Sequence, residues 1–338
     1  MRSFRSLPSL LLLLAAAPPA PPDLVIVTDE AEAALEILER RGAGRPVEEE
    51  TWRRLFATEG YRRLQAREAA MGRAFDDSSF RQFLLSDTLP ARASALRAAL
   101  QAWRRADLGA ARANALAYLP DGARIRARIY LLIKPKTNSF VFEPDTDPAI
   151  MLYLDPTRTR AQLENTIAHE LHHIGYAGVC SRPDSSADPA VTEARGWLGA
   201  FGEGVAMLAA AGGPGAHPHA VSPVEDRERW DRDLANSAAD LARVEAFLLD
   251  ILDRRVTDAD SIGRAGMAFF GVQGPWYTVG WLMASTVERD AGRRALVETL
   301  CDPVRLLRRY DSAARARPPG EPALPLWSET LLARLGGG

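Results

Sequence analysis

The stretch IAHELHHIGY, residues 167 to 176, holds three of the chain's five histidines and restricts the local fold more than any other segment. His169 and His173 stand four apart, with Glu170 beside the first. On an α-helix, residues i and i+4 differ by about 40° in azimuth and about 6 Å along the axis. Both imidazoles then leave one face and reach a single cation. A residue at i+1 sits roughly 100° around, where a carboxylate touches a water on that cation without ligating it. The flanks predict the required helix. Thr157 or Thr159 stands where a cap belongs, and Leu163, Ile167, Leu171 and Ile174 recur at helical spacing. Gly175 or Gly178 marks the end. His172 falls off the 169/173 face and reads as a surface or second-layer histidine.

Two histidines do not close a catalytic zinc site, which takes three protein ligands and keeps one position open for water. The extended pattern HExxHxxGxxH is excluded, because Tyr176 and Val179 occupy its last two positions. His217 and His219 lie in GGPGAHPHAVSP, a turn-rich loop that fixes ligands poorly. The better candidate is a glutamate on a second helix. Glu203 sits in GAFGEGVAMLAAAG, where a bare carboxylate is costly to bury without a partner and flanking glycines let a neighbouring helix approach. Glu193 lies ten positions earlier, about 15 Å back along one continuous helix and about 80° around it. At the helix start its charge is favoured by the dipole alone. Glu203 is the expected third ligand, with Glu193 as the alternative.

This arrangement resembles the gluzincins, the thermolysin-like zinc metallopeptidases. It is nearest to bacterial families of zinc-dependent peptidases whose names record no known function. The resemblance covers at least residues 124 to 290. It implies Zn²⁺ held by His169, His173 and Glu203, a water activated by Glu170, and hydrolysis of peptide bonds in a peptide or protein substrate. The run Pro275-Trp276-Tyr277-Thr278-Val279-Gly280 is similar to the Pro-Tyr-x-x-Gly segment of some gluzincin aminopeptidases. That likeness implies an oxyanion-steadying role for Tyr277. There are departures. Thermolysin has a shorter interval from histidine to glutamate, which Glu193 fits better. The aspartate four positions after the ligand is replaced by Met207 after Glu203 and by Trp197 after Glu193. The Gly-x-Met-Glu-Asn motif is absent, which speaks against exopeptidase action. A zinc hydrolase of another amide, such as a cell-wall component, is one alternative. A metal-binding protein without turnover is another, against which Glu170 argues because binding zinc does not need it.

The expected fold is mainly α with a small antiparallel sheet (α+β), built on a zincin-like core. Helices are predicted over 30–41, 47–57, 58–71, 77–86 and 90–106, and strands near 124–134, 139–143 and 149–154. Trp230, Leu234, Leu241, Val244, Leu248 and Ile251 mark one further long helix. The regions read as a signal peptide over 1–20, a helical region over 24–122, the core over 123–213 and a helical region over 222–336. With 338 residues and 47% hydrophobic composition, one large or two modest cores are expected. A net charge of −2 gives no hint of a nucleic-acid partner, and none is expected.

The first residues predict export. MRSFRS is basic, LPSLLLLLAAA is apolar, and AAAPPAPP follows, which is the order of a secretory signal. The apolar run is too short for a membrane span, which takes about 20 residues. In an exported chain, Cys180 and Cys301 form one disulfide or remain two buried thiols.

Overall fold

The computed structural model describes residues 23–180 and 188–336, so the expected signal segment lies outside the described residues. Strand β1 (Leu24–Val27) comes first, from the β-branched run LVIV. Helices α1 (Asp29–Gly42), α2 (Glu49–Ala57), α3 (Glu59–Ala70), α4 (Asp77–Leu84), α5 (Ala93–Trp103) and α6 (Leu108–Leu116) follow. Then come β2 (Ala127–Leu132), β3 (Phe140–Phe142) and β4 (Ala149–Tyr153). The five predicted N-terminal helices are all present, with ends shifted by a few residues. β1 was not expected; α6 falls within the region read as helical, without bounds of its own.

The sheet runs β1-β2-β4-β3, with the first two pairs parallel and β3-β4 antiparallel. It is therefore mixed, where an antiparallel sheet was predicted. Short turns between successive strands suggest that each pairs with the next. Here β3 lies one position further out, and β4 returns between it and β2. Burial agrees with this order, since β2 and β4 are apolar almost throughout and covered on both faces.

The remaining described residues are mostly helical. α7 (Arg160–Val179) carries the HExxH stretch. Its start is fixed by a capping box in which the Gln162 amide donates to Thr159 Oγ1 at 3.2 Å and the Thr159 amide donates to Gln162 Oε1 at 2.7 Å. The expected face, Leu163, Ile167, Leu171 and Ile174, is buried. After it come α8 (Pro189–Leu198) and α9 (Gly202–Ala211), separated by a 3-10 turn over Gly199–Phe201. The single continuous helix expected through Glu193 and Glu203 is thus broken, at a segment bounded by Gly199 and Gly202, poor helix formers that loosen the α-helical ladder. The long helix predicted from Trp230 to Ile251 is likewise two, α10 (Val224–Ala235) and α11 (Ser237–Leu252), parted at Asn236. The chain ends with α12 (Ala259–Ala268), α13 (Pro275–Val297), α14 (Pro303–Arg315) and α15 (Glu329–Leu335).

One cluster of buried apolar side chains runs from Ala31 in α1 to Leu335 in α15. A disulfide joins Cys180, at the end of α7, to Cys301, just before α14. Among the described residues, no helix is long and apolar enough to cross a membrane.

Candidate metal centre

Three helices meet at the HExxH stretch. α7 supplies His169 and His173, α9 supplies Glu203, and α13 supplies Tyr277. The Nε2 atoms of the two histidines lie 3.0 Å apart, and Glu203 Oε2 stands 3.1 Å from His169 Nε2 and 3.3 Å from His173 Nε2. Four ligands placed tetrahedrally at zinc distances of roughly 2.0–2.1 Å lie about 3.3–3.4 Å from one another. The observed triangle is close to one face of that tetrahedron. Among the described residues these three side chains form a group able to hold a metal ion. The donor set of two imidazoles and a carboxylate suits zinc.

The electrostatics favour positive charge at the centre. Burial opposes ionisation of Glu203, but His173 and His169 outweigh it and hold the carboxyl far below its usual range. Burial also works against a charged His173, yet Glu203 and Glu170 carry its pKa up to about 9. Glu170 lines the adjoining cleft beside His169 and Tyr277. Burial and the Glu203 charge raise its pKa, against the pull of both histidines. A carboxylate pushed upward is a better proton acceptor near neutrality. The Tyr277 ring stacks on that of His169, with centroids 6.3 Å apart and planes 16° from parallel. Its hydroxyl interacts with the Glu203 carboxylate, and burial together with that carboxylate raises its pKa far above the usual value.

The other candidates go elsewhere. Glu193 is on α8, and its carboxylate accepts the Trp197 indole N–H at 3.0 Å. It is not part of the metal group. His172 is buried and donates from Nε2 to the Tyr118 carbonyl at 3.3 Å, tying α7 to the segment after α6. Burial brings its pKa down to about 3, so the ring is neutral. His172 is thus not at the surface, and its hydrogen bond goes to the main chain and not to the metal group. His217 Nδ1 accepts the His219 amide at 2.9 Å, so its Nε2 carries the proton that meets Asp231 at 3.0 Å. His219 lines the cleft instead, with Nδ1 held by Ser222 Oγ at 3.0 Å.

The cleft has a volume of about 400 Å³. On α7 it is lined by the half-buried Gln162, Asn165, Thr166, His169 and Glu170. Gln162 and Thr166 were not singled out from the sequence, although they precede His169 at spacings that continue the same helix face. Thr137 and Ser139, just before the edge strand β3, also line it, as do Arg158, Met207, Ser222 and Gln273.

Neither a curated protein nor a solved structure is significantly similar to the chain. Residues 52–318, from α2 to just beyond α14 and including every residue of the metal group, match the family described as "Putative zinc dependent peptidase (DUF5700)", and the chain belongs to that family.

Proposed function

We propose that this protein is an exported metallopeptidase in which His169, His173 and Glu203 hold a zinc ion and Glu170 is the general base. The observation that carries the reading is the convergence of His169 Nε2, His173 Nε2 and Glu203 Oε2, beside a cleft that His169, Glu170 and Tyr277 line. Zinc held there would supply Lewis acidity and would lower the pKa of the attacking water. Glu170 takes the proton of the attacking water and passes it to the leaving amine. The Tyr277 hydroxyl, kept protonated by its surroundings, donates a hydrogen bond to the oxyanion. The outer edge of β3 has no strand partner among the described residues, and it offers main-chain groups to an extended peptide lying in the cleft. Export is supported by the basic and apolar order of the first residues and by the disulfide, which belongs to oxidising compartments.

The test begins with metal analysis of the purified protein, followed by cleavage of a mixed peptide library with and without chelator. Glu170→Gln keeps the size and hydrogen bonding of the side chain and removes the base. It should bind zinc one-to-one, melt like the parent and lose about 10²–10⁴ in rate. A Glu170→Gln protein that cleaves as fast as the parent would end the mechanism.

A further inference from the structure

Main chain meets main chain where α9 crosses α13. A Cβ on Gly204 would lie 2.0 Å from the Trp281 nitrogen and 2.2 Å from the Gly280 carbonyl carbon. A Cβ on Gly280 would lie 2.6 Å from the Phe201 oxygen and 3.2 Å from the Gly204 Cα. By contrast, a Cβ on Gly202 meets nothing within 4 Å. Of the two glycines beside Glu203, only Gly204 makes the crossing. Helices normally sit about 8–10 Å apart, with side chains filling the space between them. Here no side chain can lie between the axes at the closest point. The contact is one residue from Glu203 on α9 and three residues, one turn, from Tyr277 on α13. α9 packs against α7 as well as α13, so any widening of the crossing moves the Glu203 carboxylate relative to both Tyr277 and the two histidines, with no flexible side chain to absorb it.

We propose that the Gly204–Gly280 crossing is a positioning device, which seats the Glu203 carboxylate against the two histidines of α7 at metal-binding distance. The proposal rests on the metal-centre reading above. It adds that affinity for the ion is set by helix separation as well as by the three ligands. A buried glycine pair that served packing alone would affect the melting temperature and leave the zinc affinity of the folded protein unchanged.

The experiment is zinc affinity of the full chain, measured by competition with a chromophoric chelator, together with thermal melting. Gly280→Ala should weaken zinc binding by about 10–100-fold, the range seen when the supports of a metal ligand are removed. Gly202→Ala, on the open side of the same ligand, should bind like the parent. Glu203→Asp withdraws the carboxylate by one methylene without touching the crossing, and it should give a loss of the same order. That variant calibrates the loss expected when the carboxylate is drawn back from the histidines. Parent-like affinity in Gly280→Ala overturns the proposal, and so does a Gly280→Ala chain that fails to fold in excess zinc, since the glycine pair then serves packing. A parent that binds zinc and cleaves no peptide defeats the peptidase reading while leaving this test intact. One that binds no zinc overturns both.

Discussion

Glu203 and Glu193 are ten residues apart, and their carboxylates have different occupations. Glu203 faces two imidazoles within 3.3 Å, and Glu193 holds the indole of Trp197. Glu203→Ala should therefore lose most bound zinc. Glu193→Ala should keep it and destabilise the fold by no more than about 1 kcal/mol, the usual worth of one hydrogen bond. Metal content after dialysis and urea unfolding check the two halves separately; zinc lost from Glu193→Ala with Glu203→Ala still loaded would reverse the assignment. At this scale much of the site was legible. His169, Glu170 and His173 depend only on helix periodicity, which is local, and Glu203 was marked by the cost of burying a carboxylate in an apolar helix. The anchor of His172 was not legible, because the Tyr118 carbonyl lies 54 residues away.

Between elements, one buried carboxyl joins α1 to the end of β2. Glu30 is fully buried, and its Oε2 accepts the Ile133 amide at 2.9 Å. Burial raises its pKa to about 8, with Asp29 adding to the rise while the Ile133 bond and Lys134 oppose it. The folded protein therefore holds a proton here between pH 4.5, the ordinary value, and about 8, where the unfolded chain has released it. Stability from this group is complete below pH 4.5 and declines as pH rises toward 8, by an amount on the order of a few kcal/mol. Burial brings Lys134 down to about 8, so its own effect belongs to the window above that pH. Glu30→Gln retains the acceptor for Ile133 and should flatten the decline. Urea unfolding at pH 5 and pH 8 measures it, and an equal slope in parent and variant would refute the assignment. Element identity was largely legible for the long periodic helices. Strand order was not, since β2 takes β1 and β4 as neighbours and the hairpin signals point only to the next strand along. The break between α8 and α9 was missed because Gly199 and Gly202 are tolerated in helices, and only tertiary contacts decide whether they interrupt one.

For the whole molecule, the disulfide closes a loop of 121 residues, from the end of the metal helix to the foot of α14. On the chain-entropy account a loop of that length contributes about 5 kcal/mol, so the Cys180→Ser, Cys301→Ser double variant should melt on the order of 10 °C lower. Calorimetry of oxidised parent and variant checks it, and coincident transitions would mean the crosslink restrains nothing. A second long connection acts in time instead of in strength. β1 hydrogen-bonds along its length to β2, which follows roughly a hundred residues later. Delivered from its amino end at about 5–20 residues per second, the chain holds β1 without its mate for on the order of ten seconds. α1 to α6 have that interval in which to form. The sheet is completed only when β4 arrives, immediately ahead of α7, and Glu203 emerges later still. A nascent chain therefore has no grouping of His169, His173 and Glu203 until its scaffold is finished, and the ion proposed for that group would find its seat only at the end of this sequence of events.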